Sequence, residues 1–274
     1  MKYAKDNFSI KFSPMPNTLP QYRDEYQRLF DSCIIKPNKY NEIDSYISKM
    51  VANKNTYDTV SIDTNVPWNF IAITHCMEGS LNFKTHLHNG DPLTARTVHV
   101  PAGRPLAGNP PFTWEESAQD ALTIEGFTTW SDWTVPGMLY CFERFNGFGY
   151  RRFGINSPYL WSYSNHYTKG KYSSDGHYDP DAVSKQCGAA VLLRRMSEKQ
   201  IAVTGETDTL SLTKQLGSKV NYAPKTYSEK AEQLQEMLNS IGLHLRIDGF
   251  AGRMTSDAYF TVAGIYLKGD KGKF

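Results

Sequence analysis

Long apolar runs, a surplus of charge of either sign and closely spaced cysteines are missing from this 274-residue sequence. The longest apolar stretches, at 68–74 and 189–193, fall far short of the roughly 20 residues that a membrane-spanning helix needs. The formal net charge is only +2, and lysine and arginine form no dense block, so the chain has little electrostatic attraction for nucleic acid. We therefore expect neither insertion into a membrane nor a nucleic-acid partner.

The four cysteines, Cys33, Cys76, Cys141 and Cys187, lie far apart, and no CxxC spacing occurs. Such a pattern favours buried free thiols over a disulfide framework, as in a protein made in the cytoplasm. The amino terminus also lacks the stretch of about seven or more apolar residues that follows the basic start of a signal peptide. We therefore expect synthesis in the cytoplasm without a signal peptide.

Length and periodicity together indicate two domains of unequal size. Apolar residues at helical spacing predict helices over 21–33, 40–53, 68–78, 114–124, 136–145 and 179–196. The polar, glycine-rich passage 82–108 contains an alternating Thr-Val-His-Val run, which predicts a small β-hairpin region. Residues 201–227 have the composition of a linker. The predicted fold class is mainly α (α+β), with a first domain at 1–200 that includes a helical lead-in, and a helical second domain at 228–274.

The second domain combines an amphipathic helix, a glycine at its end, a tight turn and a helix cap. These features are carried by Leu234, Gln235, Leu238, Asn239, Gly242, Asp248, Gly249, Phe250, Gly252 and Thr255. Leu234 and Leu238 are one helical turn apart, and Thr255 is a natural N-cap. The pattern resembles the peptidoglycan-binding module of many cell-wall hydrolases. That resemblance implies a three-helix domain and assigns wall binding to Leu234, Gln235, Asp248, Gly249, Phe250 and Thr255.

Three polar residues follow one another at the end of the predicted helix 68–78 and beyond it. Pro67 can begin this helix and Gly79 can end it, which places Glu78 at its carboxyl end. Asp91 lies on a predicted turn, and Thr97 follows six positions later. The trio resembles that of phage-type lysozymes, in which a glutamate ends a helix and an aspartate and a threonine follow on a hairpin. The resemblance implies a lysozyme-like catalytic domain and a muramidase, which hydrolyses the β-1,4 bond between N-acetylmuramic acid and N-acetylglucosamine.

Glycoside cleavage needs a proton donor for the departing oxygen and a second group that activates water or stabilises positive charge. Glu78 follows an apolar helix, so we expect desolvation to raise its pKa and make it the acid. Asp91 stands beside Asn89 and Gly90, where we expect it to be solvated and ionised. Thr97 is then the candidate for positioning water. This reaction requires no cofactor and no metal.

Aromatic residues are concentrated in two segments, 142–150 and 157–161. The segments resemble the Asn-Gly and tyrosine-rich stretches that line the glycan cleft in goose-type lysozymes and lytic transglycosylases. Aromatic faces suit the C–H faces of sugar rings. The resulting substrate-binding candidates are Asn146, Tyr150, Tyr159 and Trp161. Glu143, next to Arg144, is predicted to form an ion pair with it.

Other interpretations of these residues remain open. His75, Glu78, His86, His88 and Asp91 include types that bind zinc, as in a zinc-dependent peptidoglycan peptidase or amidase. A lytic transglycosylase would use Glu78 as its acid. A non-catalytic wall-binding protein of a phage particle would use none of the candidate catalytic residues. The leading hypothesis is a monomeric, phage endolysin-like enzyme that acts on the glycan strands of the cell wall or periplasm after its release.

Overall fold

The computed structural model of the chain describes residues 20–174, 176–201 and 209–272. The chain divides into two compact units between Gly205 and Glu206. Helices of the first unit are α1 (Pro20–Asp31), α2 (Tyr40–Ala52), α3 (Lys54–Thr64), α4 (Trp68–Gly79), α5 (Trp114–Ile124), α6 (Val135–Asn146), α7 (Pro158–Trp161) and α8 (Ala189–Glu198). Short 3-10 turns lie at Pro37–Lys39, Phe127–Thr129 and Gly149–Phe153. None of the described helices is both long and apolar enough to span a membrane.

The mainly helical fold class is confirmed, and so are the helices expected near 21–33, 40–53, 68–78, 114–124 and 136–145. In α2 the buried residues Ile43, Ile47 and Met50 follow the helical period. Helix α4 is buried on all sides from its first residue to Met77, so it forms the centre of the first unit. The four cysteines are free and buried, as predicted.

Helix α3 was not predicted, because its sequence is rich in Asn, Thr, Asp and Ser, which favour caps and turns. Its buried face combines Tyr57 and Val60 with the polar residues Ser61 and Thr64. The hydroxyl of Thr64 donates to the backbone carbonyl of Val60 at a distance of 2.6 Å, which satisfies it inside the helix. Packing against the rest of the first unit, and not intrinsic helix propensity, therefore makes this segment helical.

The hairpin expected over 82–108 is wrong. This fully described segment is a loop, here called the 82–108 loop, in which a single bridge pairs Thr85 with Pro92. Prolines at 92, 101 and 105 lack the N–H group that a strand ladder needs. The described strands are β1 (Lys171–Ser174) and β2 (His177–Asp179), an antiparallel pair in a different part of the first unit.

The helix expected over 179–196 begins only at Ala189. Between the end of β2 and this helix the chain is irregular, and Gly188 is the N-cap. A Cβ atom on Gly188 would lie 2.2 Å from the backbone oxygen of Leu160, so the chain passes directly against the end of α7 here. This close contact is between residues distant in sequence, and helical periodicity does not record it.

In the second unit the described helices are α9 (Thr209–Ser218), α10 (Glu229–Ser240) and α11 (Arg253–Ala263). Their buried residues include Leu216, Leu234, Leu238 and Tyr259. Helix α9 lies inside the segment expected as a linker, so that prediction is wrong over 209–218, whereas residues 202–208 are outside the described part of the chain. Of the lead-in expected over residues 1–20, residues 1–19 are also outside it, and Pro20 is the first residue of α1.

Candidate functional site

The carboxyl end of α4 has an unusual backbone. Ser80 and Leu81 both adopt the left-handed conformation, with φ of 52° and 59°, although neither is glycine. The carbonyl of His75 accepts hydrogen bonds from the backbone N–H groups of both residues. The predicted stop, Gly79, is the last helical residue instead. Such conformations are costly outside glycine and concentrate at functional sites, which draws attention to Glu78 on the preceding turn.

Glu78 is half-buried, and its carboxylate is held by a buried phenol. The hydroxyl of Tyr159, in α7, donates to Oε1 of Glu78 at 2.8 Å. Burial, together with the charge of Glu78, raises the pKa of Tyr159 well above its usual range, so the phenol keeps its proton and acts as a donor. This contact fixes the orientation of the Glu78 side chain.

A further segment contacts this end of α4. The side-chain amide of Gln186 donates to the carbonyl oxygen of Met77 at 2.8 Å, one residue before Glu78. Glu125, at the carboxyl end of α5, adds a smaller contribution that also raises the pKa of Tyr159. Gln186 was not a candidate from the sequence, because no local pattern indicates that it approaches α4.

Asp91 is buried and organises the 82–108 loop. Its Oδ2 accepts hydrogen bonds from the backbone N–H groups of Val98 and His99 at 2.9 and 3.0 Å, and its Oδ1 lies 2.6 Å from Nδ1 of His99. Burial would raise the pKa of Asp91, but the hydrogen bonds from His99 and Val98 outweigh it and lower the pKa to about 2. Asp91 was expected to be both ionised and solvated. Its low pKa agrees with an ionised carboxylate, but the side chain is buried and not solvated.

Thr97 is also part of the loop framework. Its hydroxyl donates to the backbone oxygen of Pro101 and accepts from the backbone N–H of Arg104 at 2.9 Å. The side chain is buried. The proton and one lone pair of this hydroxyl are thus engaged between loop residues. Its role in positioning water stays a prediction.

The loop should loosen in acid through Asp91. A carboxyl whose pKa is about 2 in the folded chain, against an ordinary value of 3.8, contributes stability that is complete above about pH 4. That contribution is lost as the pH falls through 2, when the folded carboxyl becomes protonated. We expect amide exchange at Val98 and His99, measured by NMR, to accelerate between pH 4 and pH 2 beyond the ordinary pH dependence. Asp91→Asn should remove this extra acceleration, and an equal response in the two proteins would contradict the assignment.

The histidines near the loop serve its packing. His86 lies 2.8 Å from the hydroxyl of Ser117 through Nδ1 and 2.8 Å from a backbone carbonyl through Nε2. Nε2 of His88 lies 2.7 Å from the carboxylate of Asp120. Burial lowers the pKa of His75 and of His88 to about 4, so both rings are neutral near pH 7. Across the described ranges, no group of three or more His, Cys, Asp or Glu side chains could hold a metal ion. The zinc-ligand set considered from the sequence is not brought together.

Three of the predicted sugar-stacking residues are core residues. Tyr150, Tyr159 and Trp161 are almost completely buried, so their rings offer no face to a ligand. Asn146, the last residue of α6, is half-buried. Exposed aromatic area lies instead beside the β-hairpin, where Phe153 stacks on Tyr178 with ring centroids 3.8 Å apart. The sequence does not distinguish these cases, because stacking platforms and aromatic cores use the same residue types.

Glu143 is paired with a different arginine from the one predicted. Arg151 donates to both of its carboxylate oxygens, at 2.9 and 2.7 Å, and the hydroxyl of Tyr26 donates to it as well. Arg144 reaches the backbone oxygen of Glu125 instead. Glu143 is buried, so this network ties α1 to α6 and is structural.

In the second unit the amide of Gln235 connects the turn 248–250 to α10. Its oxygen accepts from the backbone N–H groups of Asp248 and Gly249, both at 2.9 Å. Its nitrogen lies 3.0 Å from Oδ1 of Asp248, 3.2 Å from the backbone oxygen of Phe250 and 3.1 Å from Oγ1 of Thr255. Thr255 is therefore part of this network rather than the N-cap of α11, which is Gly252.

The turn exposes an aromatic pair. Phe250 and Tyr227 are 40% and 58% exposed, with ring centroids 6.4 Å apart in an edge-to-face arrangement. Gly249 has a φ of 71°, and a Cβ atom there would lie 2.5 Å from the Tyr227 ring. Glycine alone combines an unstrained positive φ with the absence of a side chain that would clash with the Tyr227 ring. The glycine of the Asp-Gly-Phe sequence therefore lets the two rings approach each other.

No protein-family model, curated protein or solved structure matches this chain. Function is therefore inferred from the chemistry of the two sites.

Proposed function

We propose that this protein is a peptidoglycan hydrolase, a muramidase whose second unit holds it on the cell wall. The observation that carries the proposal is the setting of Glu78. A half-buried carboxyl stands on the last turn of a buried helix, oriented by a buried phenol and followed by two left-handed residues. A positioned acid of this kind is what glycoside cleavage requires first.

In the proposed reaction the Glu78 carboxyl, with its proton on the oxygen other than the Oε1 that Tyr159 holds, donates this proton to the glycosidic oxygen as the bond from that oxygen to the anomeric carbon breaks. Water then adds to the anomeric carbon and gives up a proton to the Glu78 carboxylate, which restores the acid. Asp91, our candidate from the sequence for the second group, supports the turn at 97–99. We therefore infer that Glu78 both donates the proton and takes it back.

The proposed wall contact is the exposed pair Tyr227 and Phe250. Aromatic rings with one open face suit the C–H faces of amino sugars. The amide network around Gln235 holds this surface in place without contributing to it directly. Binding through a rigid turn costs little ordering entropy on association.

Lytic transglycosylation is a second candidate, favoured by the engagement of Asp91 within its own loop. In that reaction a hydroxyl group of the muramic acid itself attacks the anomeric carbon, so one acid that first donates and then accepts a proton is sufficient. The two reactions differ in their products and share Glu78.

Digestion of purified sacculi, followed by mass spectrometry, tests the proposal. Reducing muramic acid ends are the expected result. Anhydro-muramic ends would instead establish the transglycosylase, and free stem peptides whose release is blocked by a chelator would establish a zinc-dependent peptidase or amidase. Pelleting with sacculi without any released fragment would leave a wall-binding protein and overturn the enzymatic proposal.

A further inference from the structure

The side chain of Gln186 contacts the same end of α4 that carries Glu78. Its amide nitrogen lies 2.8 Å from the backbone oxygen of Met77 and 3.8 Å from the sulfur of that residue. Because a carbonyl oxygen can only accept, the contact with Met77 determines which end of the amide is the nitrogen. The amide oxygen is therefore also fixed in position, on the other branch of the same planar group.

This oxygen is available to a ligand. Gln186 is only partly buried, and its side-chain oxygen has no hydrogen-bond partner in the described ranges. The segment that carries it is well anchored. The backbone N–H of Ser184 donates to the hydroxyl of Tyr167 at 3.1 Å, and that of Gly188 donates to the carbonyl of Ser162 at 3.0 Å. The acceptor is thus preorganised and not on a freely moving side chain.

We propose that Gln186 is a substrate-binding residue whose side-chain oxygen accepts a hydrogen bond from a hydroxyl or acetamide N–H group of the amino sugar bound at Glu78. The inference rests on the proposed function. An acceptor fixed to the turn that carries the acid positions the sugar relative to the proton that Glu78 donates. Its partner must be a donor, and amino sugars of peptidoglycan carry both kinds.

Two substitutions separate substrate binding from a purely structural contact with Met77. Gln186→Lys keeps a donor for the Met77 carbonyl and removes the acceptor, whereas Gln186→Leu removes both. The full-length protein and both variants are compared by steady-state kinetics on soluble glycan strands stripped of their stem peptides, and by thermal unfolding. We expect both variants to raise KM by about tenfold, the effect of losing one good hydrogen bond. Only Gln186→Leu should lower the unfolding temperature.

The possible results are distinct. A KM for Gln186→Lys equal to that of the unsubstituted protein, with a raised KM for Gln186→Leu alone, would show that the contact with Met77 is what matters and would overturn the inference. Unchanged KM in both variants would overturn it as well. Absence of any glycan cleavage by the unsubstituted protein would overturn the proposed function, and this inference with it. The second unit is identical in every protein compared, so differences in KM arise at Gln186.

Discussion

Glu78→Gln is expected to reduce the release of fragments from sacculi by roughly 10²–10⁴-fold, the range typical of removing a general acid. Glutamine has nearly the same shape, and its side-chain oxygen can still accept the hydrogen bond from Tyr159. What it lacks is a proton acidic enough to protonate the departing oxygen. The loss should therefore appear in kcat, measured from the rate at which a sacculus suspension clears.

Glu115→Gln is a matched control for this substitution. Glu115 lies in the first turn of α5, and its substitution likewise replaces one carboxylate by an amide. We expect it to retain full activity, while both variants keep the unfolding temperature and the sacculus binding of the unsubstituted protein. If Glu78→Gln clears sacculi at more than a tenth of the normal rate, Glu78 is not the acid, and the proposed chemistry fails with it.

The helical framework around this acid was predictable, because amphipathic spacing and helix-end signals are local. The position of Glu78 at the end of α4 follows from Pro67 and from the apolar run between them. Its partners were not predictable. Tyr159 is 81 positions away and Gln186 is 109 positions from Met77, and no periodicity links such residues. Contacts of this range depend on tertiary packing alone.

The 82–108 loop shows a different reason for failure. The alternation from Thr97 to Val100 is a strand signal, but here a buried carboxylate, Asp91, collects the N–H groups that a neighbouring strand would otherwise bind. Side-chain capping of backbone donors competes with sheet formation. The sequence contains Asp91 and the alternating residues, but nothing in it says which of the two will satisfy the backbone.

The Leu-Gln and Leu-Asn pairs of the second unit were singled out from residue types alone, and the structure gives each residue of the pairs a contact. Leu234 and Leu238 are buried, while the amides beside them hold loops. Asn239 both donates to the carbonyl and accepts from the N–H of Leu245, at 2.8 and 2.6 Å. The repeated Leu-amide pair therefore combines one core residue with one residue that fixes a turn.

Gln235→Leu is the substitution with the largest expected effect on the second unit. It leaves the backbone N–H groups of Asp248 and Gly249 without their acceptor, and each such loss costs about 1–3 kcal/mol where the group is buried. The expected cost in free energy of unfolding is therefore roughly 3 kcal/mol or more, a large share of the stability of a small domain. Differential scanning calorimetry of the full chain should show a transition shifted to lower temperature, and the protein should lose most of its binding to pelleted sacculi.

Phe250→Ala distinguishes the wall contact from the fold that supports it. Phe250 is exposed and contributes only backbone atoms to the Gln235 network, so removal of its ring should leave the calorimetric transition in place. Sacculus binding should nevertheless weaken, because an aromatic face is lost. Both variants should still cleave soluble glycan strands, since Glu78 lies in the first unit. Undiminished pelleting of Gln235→Leu would remove the wall-binding role from the second unit, whereas undiminished pelleting of Phe250→Ala alone would move the contact to another surface of that unit.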